Sequence, residues 1–272
     1  MKLFRQHCLL ALALAAALLP ATALFARQAL RAPAAQTTGV PGVEQAMLEP
    51  GYWLARLKAP DALVLPASAI ADQNLRLFDQ DRSMHRIQAL PQVLSGEKVR
   101  ARIESISRRP EAVRYDEAGR EISASVFDAL VANLALDAVP ASQQTRFGLV
   151  VRRSALRAFP TSLRVFSGPK DHDIDRFQES ALFPGTPVAI AHRSGDGAWL
   201  FVASERYAAW IAADAVAEGP RAQVFGYVAR AAGGRIVTAA KLRTVQSIEA
   251  PRVSELQLDM GVRLPLLPAT AG

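Results

Sequence analysis

Between residues 188 and 202 the chain reads VAIAHRSGDGAWLFV, two apolar runs parted by Ser194-Gly195-Asp196-Gly197. β-branched and aromatic residues on either side of a short Gly-rich break are the composition and spacing of an antiparallel hairpin. The same character extends outward. Gly148-Leu149-Val150-Val151 opens as a strand, and Pro160-Thr161 ends the segment that follows it. Residues 147–216 are therefore predicted to be β-rich, a small barrel with the stretch between Ala158 and Phe183 laid across it as a long loop.

Upstream of Arg146 the pattern is helical. After Pro66, Ile70, Leu75, Leu77 and Phe78 approximate one stripe of a helix. Ser95 is a good N-cap for GEKVRARIESISRR, where Val99, Ile103 and Ile106 recur at helical spacing. A third helix is predicted from Ser123 or Ser125 through VFDALVANLAL, closed by Pro140. Beyond the β-rich segment, QVFGYVAR and RIVTAAKLR flank Ala232-Gly233-Gly234, which predicts a further hairpin. The fold class is α+β, a helical N-terminal region followed by a small β-barrel and further strands.

The first residues carry another signal. Lys2 and Arg5 precede LLALALAAALLPATALFA, which ends in the small residues Ala21-Thr22-Ala23. A basic start, an apolar stretch and a small-residue site predict a signal peptide over 1–23 and hence export to the periplasm or cell envelope. An N-terminal membrane anchor is the alternative, although Pro20 breaks a run already short for a spanning helix. The Ala-, Pro- and Thr-rich residues that follow predict a linker over 24–43. The 32 lysines and arginines exceed the 25 aspartates and glutamates by seven, and Lys2 and Arg5 supply two of that surplus. The remaining basic residues are scattered, without the aromatic-and-basic pattern of a nucleic-acid module. Cys8 is the sole cysteine and lies inside the leader, so the segments beyond it hold no disulfide, no cysteine-ligated metal and no cysteine nucleophile.

The strings VVRRSALRAFPT, FPGTPVAIAHRSGDGAWLFV, RYAAWIAADAVA and LQLDMGVRLPLL resemble the bacterial SH3-like module of exported cell-wall cysteine peptidases of the NlpC type, the gamma-D-glutamyl-diamino-acid endopeptidases. A weaker resemblance runs upstream through YDEAGREIS. It implies a helical stabilising region over 44–143, an SH3-like domain over 144–218 and part of a second over 219–272. It further implies peptidoglycan or its stem peptides as partner, with a peptidase domain following the present C-terminus. That peptidase attacks the amide after gamma-D-glutamate with a cysteine thiolate activated by histidine. The resemblance therefore implies, for this chain, binding or scaffolding at the cell wall without hydrolysis. Two alternatives stay open: a truncated record of an active endopeptidase, and a periplasmic structural protein with no peptidoglycan ligand.

No catalytic residue or cofactor is expected. There is no Gly-x-Ser-x-Gly elbow, and His85, His172 and His192 are far apart in sequence. His192 reads as a hairpin-end residue whose ring packs and hydrogen-bonds. Asp171-His172-Asp173-Ile174-Asp175 opens like a calcium loop, but Arg176 and Leu182 stand where that loop needs Gly and Glu, so no metal is expected. This acidic stretch is read as a solvated loop, or as the flank of a groove where Asp173, Asp175 and Arg176 meet a charged peptide. Trp199 and Trp210 fit either core positions or a groove wall, with Tyr207 the third aromatic candidate for ligand contact.

Overall fold

The computed structural model describes residues 38–81 and 83–266. The expected leader, its anchor alternative, Cys8 and the linker as far as residue 37 lie outside these residues. The chain divides into two units after Ala69. In the first, a 3₁₀ turn (Gln45–Leu48) precedes α1 (Pro50–Leu54), whose leading proline lacks only an N–H that a helix start leaves unpaired. Trp53 Nε1 donates to Met47 O at 2.8 Å, and the Arg56 guanidinium covers the Tyr52 ring at 3.2 Å.

The helix predicted after Pro66 forms as α2 (Ala67–Gln80) and runs across the division. Its stripe residues Ile70, Leu75 and Leu77 remain exposed. A short strand, β1 (Val93–Ser95), leads into α3 (Gly96–Ile106). The Ser95 hydroxyl makes no cap bond there. Instead Gly96 N donates to Ala141 O at 2.8 Å. Only glycine fits that approach, because a Cβ on residue 96 would lie 1.8 Å from Pro140 O. The third predicted helix is α4 (Ala124–Asn133), where the Ser123 hydroxyl accepts from Val126 N. β2 (Ser142–Gln144) pairs antiparallel with β1.

Seven strands then form one antiparallel sheet. They are β3 (Arg146–Val150), β4 (Ser154–Arg157), β5 (Gln178–Leu182), β6 (Pro187–Arg193), β7 (Trp199–Ala203), β8 (Ala208–Ala212) and β9 (Val216–Gly219), in the order β5-β4-β8-β7-β6-β3-β9. The sequence-predicted hairpin is the β6–β7 pair, in which Ile190 faces Val202 and Arg193 faces Leu200. The loop expected between Ala158 and Phe183 ends in an edge strand, since β5 pairs with β4.

Side-chain alternation gives this sheet two buried faces. One points into the rolled sheet, where Val150, Leu156, Ile190, Val202 and Ile211 pack together. The other carries Phe201, Ala208 and Trp210 and is covered by Val99 and Ile103 of α3, Phe127 and Leu130 of α4, and Phe159 and Phe177 of the long loop.

After β9 the chain departs from expectation. Residues 223–230, read as the first arm of a hairpin, lie within α5 (Arg221–Ala232), which follows Pro220 and ends at Gly233. Val224 packs with Phe147 and Ala189, and burial at 224 and 231 follows helical spacing. The remaining strands are short: β10 (Arg235–Ile236) pairs with β13 (Arg263–Leu264), and β11 (Lys241–Arg243) with β12 (Gln257–Asp259). They enclose a small cluster of Val237, Leu258 and Val262.

Candidate functional site

Arg157, the last residue of β4, fixes the long loop. Its side chain is 5% exposed and that of Asp175 is 9% exposed. The guanidinium donates to Thr161 O at 3.0 Å, to Leu163 O and to the Asp175 carboxylate. The other Asp175 oxygen accepts from Val165 N at 3.1 Å and Phe177 N at 3.0 Å. A paired, fully hydrogen-bonded charge of this kind can be buried, and here it ties residues 161–177 to the sheet.

On that base lies an open groove of about 560 Å3. Ala155 and Arg157 form its floor, and Trp199 and Ile174 line it with apolar surface. Ser162, Arg164, Asp173 and Gln178 supply polar groups at its edge. Ile174 is 56% exposed, although it is an isoleucine at the tip of a loop. Arg164 is engaged elsewhere, pairing with Glu117 at 2.9 Å and lying over Phe166. Asp173, exposed, makes no ion pair among the described residues. The groove thus offers an apolar wall and a carboxylate suited to an ammonium group.

The Trp199 wall is held by its turn. Asn133 accepts from Asp196 N through its side chain and from Gly195 N through its carbonyl, both at 2.9 Å, and its amide donates to Asp196 and to Pro160 O. Burial would raise the Asp196 pKa, but hydrogen bonds from Ser194, Ala198 and Asn133 prevail and hold it below the usual carboxylate range. Ser194 Oγ in turn accepts from Trp199 N at 3.0 Å.

The six sequence candidates do not share one place. Asp173, Asp175 and Trp199 line the groove. Asp175 is not the solvated loop carboxylate that was one of its two readings, because Arg157 and two backbone amides saturate it. Arg176 turns aside, its Nε donating to Ser167 Oγ at 2.7 Å. Trp210 is 0% exposed, its Nε1 donating to Ser107 Oγ at 3.0 Å while Ser107 donates to Ala158 O. Its core reading holds, and it forms no groove wall.

Tyr207 is separated from Trp199 along the β7–β8 hairpin, whose ladder runs from Trp199 opposite Ala212 to Ala203 opposite Ala208. Its ring packs against the interior cluster and its hydroxyl donates to Glu179 at 2.6 Å. That bond, with burial, pushes its pKa up to about 12. The sequence reading passed over Arg157, Ile174 and Gln178. His192 packs as expected, 7% exposed, with Nε2 3.0 Å from Leu134 O and its ring edge-on to Trp210. Burial lowers its pKa, opposed by backbone hydrogen bonding at Leu134 and Ala135. Among the described residues, no three His, Cys, Asp or Glu side chains converge as metal ligands would.

Comparison with known proteins bears on this same region. A family model, SH3 domain (SH3b1 type), matches residues 164–212. No curated protein matches the chain. Among solved structures, an NlpC/P60 endopeptidase from Photobacterium damselae subsp. piscicida is similar, at 18% sequence identity and a TM-score of 0.56. The similarity covers 75% of this chain and 47% of that one, so this chain spans about half the length of its structural relative. The chain carries an SH3b1-type bacterial SH3 domain within a mixed helix-and-sheet fold, and that fold is shared with the endopeptidase.

Proposed function

We propose that this chain binds peptidoglycan stem peptides at the cell envelope, holding them without cleaving them. The observation that carries this reading is the place of the SH3b1 match. Residues 164–212 include Arg164, Asp173, Ile174, Asp175, Gln178 and Trp199, which make up most of the groove. An extended peptide would lay its small apolar side chains against Trp199 and Ile174 and set a free amine against Asp173. The NlpC/P60 structural neighbour supports a cell-wall setting, and the leader-like residues 1–23 support export. The domain division into 44–143, 144–218 and 219–272 belongs to the same proposal. No thiolate step is assigned to residues 38–266, which contain no cysteine.

Cosedimentation with purified peptidoglycan tests it. The wild type is retained, and Trp199→Ala and Asp173→Asn each weaken retention by about tenfold while circular dichroism stays unchanged. Absence of wild-type retention, or equal retention by both variants, overturns the reading in favour of a structural envelope protein. A second reading draws on the 47% coverage, that the sequence is a portion of an active gamma-D-glutamyl-diamino-acid endopeptidase. An in-frame domain with a cysteine and then a histidine, encoded downstream of Gly272, would establish it.

A further inference from the structure

A second cavity, of about 500 Å3, lies in the unit after Ala69 between residues 85–102 and the helix-facing side of the sheet. Its origin is visible in the sequence. Around Trp199 that side of the sheet carries Phe201 and Trp210, which fill the space beneath α3 and α4. Further along, the same side carries Ala189, Ala191, Ala203 and Ala208, and the missing volume is the cavity. Leu90, Leu94 and Val99 close it opposite, so its body is apolar.

Its polar groups are all basic or neutral. Lys98 and Arg102, one turn apart on α3, line it together with His85, and among the described residues no acidic side chain does. Burial, and then the adjacent Arg102, hold the His85 pKa below its usual value, which favours the neutral ring. A neutral ring can accept, and His85 Nε2 lies 3.3 Å from Arg102 Nη2. The Arg102 Nε–H, however, is buried and has no hydrogen-bond partner among the described residues. Arg102 is thus a cavity-lining guanidinium with one N–H left without an acceptor, and the natural complement of such a group is an anionic oxygen.

We propose that this cavity is a binding site for a small amphipathic carboxylate, its apolar body on the alanine floor and its carboxylate between Arg102 and Lys98. The volume lies within the roughly 300–1,000 Å3 typical of small-molecule sites. The site is separate from the Trp199 groove and does not depend on the peptidoglycan reading.

Calorimetric titration of the full chain with octanoate tests it, with octanol and acetate as comparisons. Octanoate binds saturably, octanol about tenfold more weakly, and acetate without measurable heat. Arg102→Met and Lys98→Met, which keep the aliphatic stem and remove the charge, each weaken octanoate binding by about tenfold. Ala203→Leu fills the floor and abolishes it. No saturable octanoate heat, or unchanged affinity in Arg102→Met and Lys98→Met, overturns the proposal. Those two variants decide the matter if Ala203→Leu fails to fold.

Discussion

Asp175 shows how far a single residue's role depends on chain return. From sequence it stood in an acidic stretch with open choices, and nothing nearby named its partner. That partner is Arg157, eighteen residues earlier and carried back to it by the loop. The same dependence hid the fate of Trp210. Alternation placed it on a strand, but whether its face was open depended on α3 bringing Ser107 within 3.0 Å of its indole nitrogen. The pair makes a clear prediction. Removing one partner leaves a buried charge without compensation, so Asp175→Ala and Arg157→Met should each destabilise the fold by about 3–5 kcal/mol. The double variant should cost clearly less than their sum, since the second change removes a group already unpaired. Urea unfolding of the four proteins measures this, and full additivity would show that the two side chains act independently.

At the scale of elements, the hairpin around Ser194–Gly197 and the helices α2, α3 and α4 were legible from apolar spacing and from Ser, Pro or Gly near their ends, although Ser95 makes no cap bond. Others were not, among them α1, β1, β2, β5 and α5. β5 reads QESAL, with three of its five residues exposed on a sheet edge, so alternation had little to act on. Residues 221–232 contain Val, Phe, Tyr and Gly, a composition shared by strands and by short half-buried helices. What favours the helix is Pro220 at the N-cap, whose missing N–H stops the preceding strand, and the apolar patch of Phe147 and Ala189 on which Val224 packs. The helix can be checked through Gly226. A Cβ there meets nothing closer than the Arg230 guanidinium at 3.5 Å, so alanine fits. Gly226→Ala should raise stability by about 0.5–1 kcal/mol, through helix propensity and a less mobile unfolded chain. A calorimetric melt reads this directly. A fall in Tm would favour the strand that the sequence first suggested.

In the whole unit after Ala69, stability is concentrated where layers overlap. The sheet is buried on both sides at β6, β7 and β8, between its own interior and the α3–α4 layer. α5 belongs with this body, because Val224 packs with Phe147 and Ala189, and Phe225 meets Phe147 edge-on at 5.3 Å. Residues 233–266 are built differently. They form two-stranded ladders of two and three residue pairs around three buried side chains, and two-stranded ladders are marginal without a packed face. From sequence, residues 219–272 were read together as part of a second SH3-like region. Because α5 packs on the sheet, the less tightly held part is expected from Gly233 onward. Native-state hydrogen exchange should therefore find the slowest amides in β6–β8, intermediate ones in α5, and the fastest, opening well below the global unfolding free energy, in β10–β13. If residues 233–266 instead exchange only with global unfolding, the Val237, Leu258 and Val262 cluster and the Arg153–Asp259 contact at 3.5 Å suffice to join them to the barrel as one cooperative body.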